Sequence, residues 1–241
     1  MKIHIYKKED DLLISFADYF IQTAQKFIAD HGAFNVVLSG GNSIKNLYKL
    51  LTSTSFNKRI DWTKLFFFFG DERCVPADDT ENNAMVAEQM LFTPLHISKE
   101  NVFKIDTALP PNEAAVKYME IIKNHFKGNS PHFDLIMLGL GENTHTASLF
   151  PYHLVLNENS VTVKEVYVKI ENRYRVTMTA PLINLAHNVA FLVYGKNKTE
   201  AIRHVLQDET DIQKYPAQLI HPKYGELHWF LDDDAAKSLE K

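Results

Sequence analysis

An α/β fold with a mostly parallel sheet is predicted by three features of the sequence. Apolar runs without alternation recur at residues 35–39, 65–69, 133–138 and 191–194, as expected of strands covered on both faces. Stretches with apolar residues at helical spacing separate them, and alternating strands and helices imply right-handed crossovers. Each of the four runs also ends directly on a glycine: Gly40, Gly70, Gly139 and Gly195.

Taken in order, residues 3–6 form a short strand. Leu13, Phe16, Ala17, Phe20, Ile21, Ala24 and Ile28 then describe one face of a long helix that ends near His31 and Gly32. The run at 35–39 (NVVLS) stops at Gly40-Gly41, and a helix follows through Leu47, Leu50 and Leu51. LFFFF at 65–69 repeats the pattern up to Gly70, and 85–91 is helical. After Pro110-Pro111, the stripe Ala114, Ala115, Tyr118, Met119, Ile122 and Phe126 predicts another amphipathic helix. The strand at 133–138 leads into a turn bearing His145. Residues 161–168 and 174–179 alternate, as in a sheet with one exposed face, so 151–180 is expected to form a small extra β region to one side. A helix resumes at 198–206. No repeat, low-complexity tract or linker interrupts this pattern, and residues 1–241 are read as a single α/β domain.

Composition narrows the function. The chain of 241 residues is 45% hydrophobic and 23% charged, ordinary for a globular protein. A net charge of -4 with scattered lysines and arginines gives no basis for binding nucleic acid or an anionic membrane. No run approaches the roughly 20 apolar residues of a membrane span, and MKIHIYKKEDD turns acidic before any signal-peptide core. Cys74 is the only cysteine, so no intrachain disulfide can form. These features predict a cytoplasmic protein and leave monomer and homodimer both open.

The carboxyl ends of parallel strands share one edge, so the four glycine-initiated loops should converge there. Ser39-Gly40-Gly41-Asn42-Ser43 lets backbone approach a ligand, and the helix after it offers unpaired N–H groups to an anion. A tight turn with Ser43 as N-cap explains the same residues equally well. No Walker lysine follows, and Thr144 stands where a dinucleotide fingerprint needs its third glycine, so nicotinamide cofactors are disfavoured. In Gly70-Asp71-Glu72-Arg73, the guanidinium of Arg73 can clamp a phosphate or stabilise developing negative charge. An isolated Asp-Glu-Arg is usually a local salt-bridge cluster; convergence with the other loops favours a site. His145 is a candidate general base at neutral pH. Arg175 and Lys198 add positive charge, with Arg173 a competitor for the Arg175 role. Cys74 reads as packing rather than nucleophile. No metal-ligand spacing occurs, so neither metal nor organic cofactor is expected.

Together, SGG at 39–41, GDERCVP at 70–76, Asn83, HTASLFP at 145–151, RVTMT at 175–179, and Gly195 with Lys198 resemble the 6-phosphogluconolactonases of the sugar-phosphate isomerase and deaminase superfamily. The resemblance implies a modified Rossmann-type sandwich and cofactor-free hydrolysis of 6-phospho-D-glucono-1,5-lactone, in the oxidative pentose phosphate pathway. It makes His145 the base that activates water. Arg73, Arg175, Lys198 and the Gly40-Gly41 turn, with Ser39, Asn42, Ser43 and Asp71 around them, would hold the phosphate and sugar oxygens. Which cation meets the phosphate and which the oxyanion stays open.

This chain departs from the family pattern at two turns. The usual Gly-x-Asp-Gly-His is Gly141-Glu142-Asn143-Thr144-His145 here. Asn143 cannot stabilise an imidazolium by charge, though its amide oxygen can orient the ring. Thr144 in place of glycine is expected to exclude an easy positive φ and so to reshape the turn. The SGG turn continues as Asn42-Ser43-Ile44 rather than Ser-Thr-Pro. A glucosamine-6-phosphate deaminase or isomerase is the nearest enzymatic alternative, disfavoured by loss of the acid at Asn143. A catalytically weak sugar-phosphate sensor is the alternative from another class.

Overall fold

The structure is a computed structural model that describes residues 1–240. Along the chain run β1 (Lys2–Tyr6), α1 (Glu9–His31), β2 (Phe34–Leu38), α2 (Asn42–Leu51), β3 (Leu65–Phe69), β4 (Asp71–Arg73), α3 (Asn83–Ala87) and α4 (Pro111–His125). They are followed by β5 (Leu135–Leu138), β6 (Val163–Val168), β7 (Arg173–Met178), α5 (Ala180–Ile183), β8 (Asn188–Val193), α6 (Thr199–Leu206) and β9 (Glu226–Asp232). Six strands form a parallel sheet in the order β1-β9-β8-β5-β2-β3, and β4-β7-β6 form a small antiparallel sheet.

Hydrophobic burial accounts for this arrangement. β2 and β5 are buried at every position, consistent with a centre covered on both faces. The aromatic run of β3 fills the adjoining core: Phe68 stacks on Phe103 at 4.5 Å and meets Phe133 edge-on at 5.1 Å. α1 buries Leu12, Leu13, Phe16, Ala17, Phe20, Ile21, Ala24 and Phe27 on one face. Glu9, Asp10 and Asp11 complement its N-terminal dipole, and Gly32 ends it at φ 84 with its N–H on Ile28 O.

Three features differ from the sequence-based expectation. β9 is an additional strand between β1 and β8; its Trp229 stacks on Phe191 with centroids 3.8 Å apart. Residues 71–73 form a strand rather than a loop, because the chain leaves the main sheet at Gly70 and pairs with β7. The extra β region therefore borrows a strand from outside 151–180. The helix expected at 85–91 is α3 followed by one wide turn at Glu88–Phe92.

The connections place a crevice at the carboxyl ends of β2 and β5. From β2 the chain passes to β3 on one side, and from β5 to β8 on the other, so these neighbours form the switch point at which open α/β sheets bind ligands. At the opposite edge, the buried carboxylate of Asp134 joins the same two strands. Its Oδ2 accepts from the backbone N–H of Asn35 at 2.7 Å and from Asn35 Nδ2 at 3.2 Å, while Oδ1 lies 3.1 Å from His31 Nε2. Burial pushes this carboxyl up, and the Asn35 N–H and His31 oppose the shift. Asp134→Ala leaves that buried N–H unpartnered and should cost about 3 kcal/mol in urea unfolding. A loss below about 1 kcal/mol would show the clamp to be dispensable.

Candidate active site

A cleft of about 410 Å³ opens at the switch point, lined from all four glycine-initiated loops and from β7. It brings together Ser39, Gly40, Gly41, Asn42, Ser43, Asp71, Arg73, His145, Arg175 and Lys198. Asn143 lies behind His145 rather than on the cleft wall, touching the ring.

The first wall is the N-terminus of α2. Gly41 occupies the N-cap at φ 101 without a side-chain cap, so the hydroxyl of Ser43 is not the cap the sequence allowed; Asn42 and Ser43 already lie inside the helix. The Ser39 hydroxyl donates to Met137 O at 2.7 Å and joins β2 to β5, so it is committed to the sheet.

β4 supplies the second wall. Alternation along a strand sends Asp71 and Arg73 to the cleft and Glu72 to the opposite face. Glu72 accepts from the backbone N–H groups of Arg73, Asn83 and Ala84 at 2.7–2.9 Å, two of them at the start of α3. Burial nevertheless pushes its carboxyl up to about 7. Anchored in this way, Asn83 donates from Nδ2 to Asp71 O at 3.0 Å and accepts from Arg73 Nη1 at 2.9 Å. Arg73 Nη1 also donates to Glu81 O at 2.8 Å. Both acceptors are uncharged, so the Arg73 charge has no hydrogen-bonded carboxylate within the described residues.

Arg175 lies directly opposite Arg73 in the β4–β7 register and is buried. Unlike Arg73, it has carboxylates on two sides. Glu171 approaches through both oxygens, at 2.5 Å from Nη2 and 3.1 Å from Nε. Asp71 Oδ2 and Ser148 Oγ each lie 3.4 Å from Nη1, and the Ser148 hydroxyl donates to Asp71 at 2.6 Å. Arg173, the sequence competitor, instead pairs with Glu81 at 2.6 Å and does not line the cleft.

His145 sits in a turn closed by Gly141 N–H to His145 O at 2.8 Å and Thr144 N–H to Gly141 O at 2.9 Å. Its Nδ1 lies 2.5 Å from Asn143 Oδ1, which also faces the His145 backbone N–H at 3.4 Å. An amide oxygen only accepts, so Nδ1 carries the proton and Nε2 keeps its lone pair. The imidazole stacks on the Phe150 ring at 4.2 Å, and the Arg175 guanidinium lies 5.3 Å from the centroid of that Phe150 ring. Gly141 is required beneath the imidazole: a Cβ there would come within 2.1 Å of His145 Nδ1. Burial first, and then Arg175 and Lys198, lower the imidazole pKa to about 4; Asp71 and Glu171 oppose them. The ring is therefore neutral at physiological pH.

The expectation for Thr144 is corrected. It keeps the positive φ, at 65, despite its Cβ. The conformation is held because Thr144 Oγ1 donates toward Asn143 O at 2.6 Å and Lys214 O at 3.1 Å, while Thr144 O accepts from Ala217 N–H at 3.2 Å. Lys198 ends a 3₁₀ turn after Gly195, whose N–H is gripped by both Asp232 oxygens at 3.1 Å. Burial lowers the Lys198 pKa.

Two residues in and around the cleft carry no individual signal in the sequence. Asn197 lines the cleft without belonging to a motif, and Phe150, which stacks on His145 without lining the cleft, appears only as a letter of HTASLFP. Glu171 carried no signal, because its proximity to Arg175 depends on the β6–β7 hairpin tip.

Comparison with known proteins supports the same conclusion. The family model described as glucosamine-6-phosphate isomerases/6-phosphogluconolactonase matches residues 7–229. The 6-phosphogluconolactonase of Synechocystis sp. is 38% identical, covering 89% of this chain and 88% of its own. The chloroplastic 6-phosphogluconolactonase 3 of Arabidopsis thaliana is 35% identical over 99% of this chain and 75% of that protein. The crystal structure of 6-phosphogluconolactonase from Thermotoga maritima superposes with a TM-score of 0.83 at 28% identity, over 96% of this chain and all of that one. The chain thus belongs to the glucosamine-6-phosphate isomerase/6-phosphogluconolactonase family.

Proposed function

We propose that this protein is a 6-phosphogluconolactonase, hydrolysing 6-phospho-D-glucono-1,5-lactone to 6-phosphogluconate with His145 as general base. The observation that carries this reading is the neutral imidazole, fixed through Nδ1 by Asn143, in a cleft lined by three cations.

The chemistry follows from those groups. The lactone phosphate is held by Arg73, which hydrogen-bonds no carboxylate, and by the uncapped N-terminus of α2 at Gly41-Asn42-Ser43. Anchoring this remote group brings the C1 carbonyl against His145, converting an encounter into an intramolecular arrangement. His145 Nε2 takes a proton from water as its oxygen bonds to C1, and the carbonyl electrons move onto oxygen. Arg175 and Lys198, which act electrostatically on His145, are the donors near that oxyanion. When the tetrahedral intermediate collapses, the C1–O5 bond breaks and the imidazolium returns its proton to O5. The resulting acid releases a proton to solvent as a carboxylate.

Asn143 orients the ring without adding a charge, which accords with a base that carries its proton only transiently. A deaminase or isomerase needs a carboxylate for proton transfer between carbons. In this cleft, Asp71 is engaged by Ser148 and faces Arg175. Both sheets wall one cleft, which supports treating residues 1–241 as one domain. Cytoplasmic residence is proposed from the lone cysteine; among the described residues no helix is long and apolar enough to cross a membrane.

Lactone opening, corrected for the spontaneous reaction, tests the reading. His145→Ala should lower kcat by about 10²- to 10⁴-fold while leaving inorganic phosphate binding nearly intact. Unchanged turnover would remove His145 as the base, and no acceleration by the native protein would favour a sugar-phosphate sensor. Arg73→Ala should raise KM about 10- to 100-fold, the scale of a charge-assisted contact to phosphate. An unaltered KM would take Arg73 out of the anion site.

The depressed His145 pKa has a direct signature. A base is available only above its pKa, and a pKa of about 4 keeps the ring neutral where an ordinary histidine, near ~6.5, is half-protonated. Its NMR ring resonance, assigned with the His145→Ala variant, should stay unshifted from about pH 5.5 to 8. Asn143→Asp should move the titration upward, because a carboxylate stabilises imidazolium. A native midpoint near ~6.5 would refute the proposed electrostatics.

A further inference from the structure

Glu171 has no place in the reaction and does not line the cleft, yet it makes the closest contact to Arg175, which does. It ends the 3₁₀ turn Lys169–Glu171 at the tip of the β6–β7 hairpin, just before Asn172 at φ 51. The neighbouring Ile170 is 91% exposed, so the tip stands in solvent while the Glu171 carboxylate reaches back to a buried guanidinium. Both of its oxygens engage the Nε and Nη2 side of Arg175. That side is the planar two-donor fork that best fits any carboxylate.

The reaction proposed above gives this contact a consequence. The lactone is neutral at C1, whereas the product is a carboxylate at the same carbon. Arg175 lies against Phe150 together with His145, at the reacting end of the cleft. A free guanidinium fork there would bind the newly formed carboxylate tightly and slow its departure. It would give the uncharged carbonyl far less, because Coulomb attraction needs a full charge on both partners.

We propose that Glu171 is a tethered stand-in for the product carboxylate. By occupying the Nε/Nη2 fork of Arg175, it makes the cleft discriminate against 6-phosphogluconate relative to its lactone, and so favours product release. The remaining Nη1 side, facing Asp71 and Ser148 at 3.4 Å, keeps Arg175 oriented and able to polarise the carbonyl. Glu171 is a positioning and specificity residue in this scheme; it takes no proton and forms no bond to substrate.

This inference rests on the lactonase reading, and its test separates the two. Calorimetry would compare 6-phosphogluconate with glucitol 6-phosphate, which retains the phosphate and carries CH₂OH in place of the carboxylate. Glu171→Gln preserves the shape and removes the charge. It should tighten 6-phosphogluconate about tenfold, the order expected for one released charge-assisted pair, and leave glucitol 6-phosphate unmoved. Glu171→Asp, which retains the charge, should keep product binding weak, and Glu171→Ala should behave as Glu171→Gln does. In steady state, the ratio of the product inhibition constant to the lactone KM should fall by the same factor. Equal tightening of both ligands would mean that Glu171 guards the phosphate, and no tightening of either would mean that it only braces the hairpin; each overturns the proposal. Failure of the native protein to open the lactone would instead refute the lactonase reading.

Discussion

The cleft is organised by the antiparallel register that sets Arg73 of β4 opposite Arg175 of β7. Like charges directly opposed across a strand pair are destabilising, so this arrangement requires compensation from the surrounding structure. The compensation is uneven. Arg175 lies between Glu171 and Asp71, whereas Arg73 is held by the uncharged oxygens of Glu81 and Asn83. One arginine is thereby paired with carboxylates, and the other has no carboxylate within hydrogen-bond distance among the described residues. The pairing begins at Gly70, where the chain leaves the parallel sheet and β4 joins the small one, with Met178 N–H donating to Gly70 O at 2.8 Å.

The opposite face of the same strand stabilises this geometry. Glu72 holds the first N–H groups of α3, which fixes Asn83, and Asn83 fixes the Arg73 guanidinium. Gly40 belongs to the same assembly: a Cβ there would fall 2.0 Å from Asn83 Oδ1. The Gly40-Gly41 turn and Arg73 are thus positioned by one buried amide, so a disturbance of α3 reaches both of these cleft walls. The histidine turn is built differently. Its non-glycine residues at positive φ, Thr144 and Ala147, cost energy locally, and Thr144 is retained by hydrogen bonds with Lys214 and Ala217.

Much of this was legible in the sequence because parallel strands carry their own evidence. Runs such as LFFFF cannot alternate and remain covered on both faces, and a glycine after each run marks the edge where ligands bind. β9 was missed because ELHWFLD mixes polar and apolar residues, which suits a strand lying one place from the sheet edge. The strand character of Asp71–Arg73 was hidden because three charged residues reveal a partner only when β7 is in place. The sequence leaves Arg173 and Arg175 as competitors; only the β4–β7 register puts Arg175 on the cleft, and its environment is invisible in the sequence because Glu171 reaches it around a hairpin tip. Thr144 shows the limit of substitution logic: intrinsic preference argued against the left-handed turn, and contacts with residues 214 and 217 override it.

The charge distribution also bears on how one cleft can handle two anions of different origin. A phosphate present throughout the reaction can be met by a full, fixed charge, because it contributes equally to substrate and product binding. A carboxylate that exists only after turnover is different: whatever cation stabilises the oxyanion at C1 is also available to the product. Uncompensated charge at that end would lower the barrier and then retain the product. In the proposed reaction, pairing Arg175 with carboxylates beside His145 and leaving Arg73 without one on the α2 side eases the conflict at two opposed strand positions, while Lys198 remains a cation at the C1 end. Burial comes first in lowering the imidazole pKa, and Arg175 and Lys198, the cations assigned to the oxyanion in the proposed reaction, further disfavour a resting imidazolium.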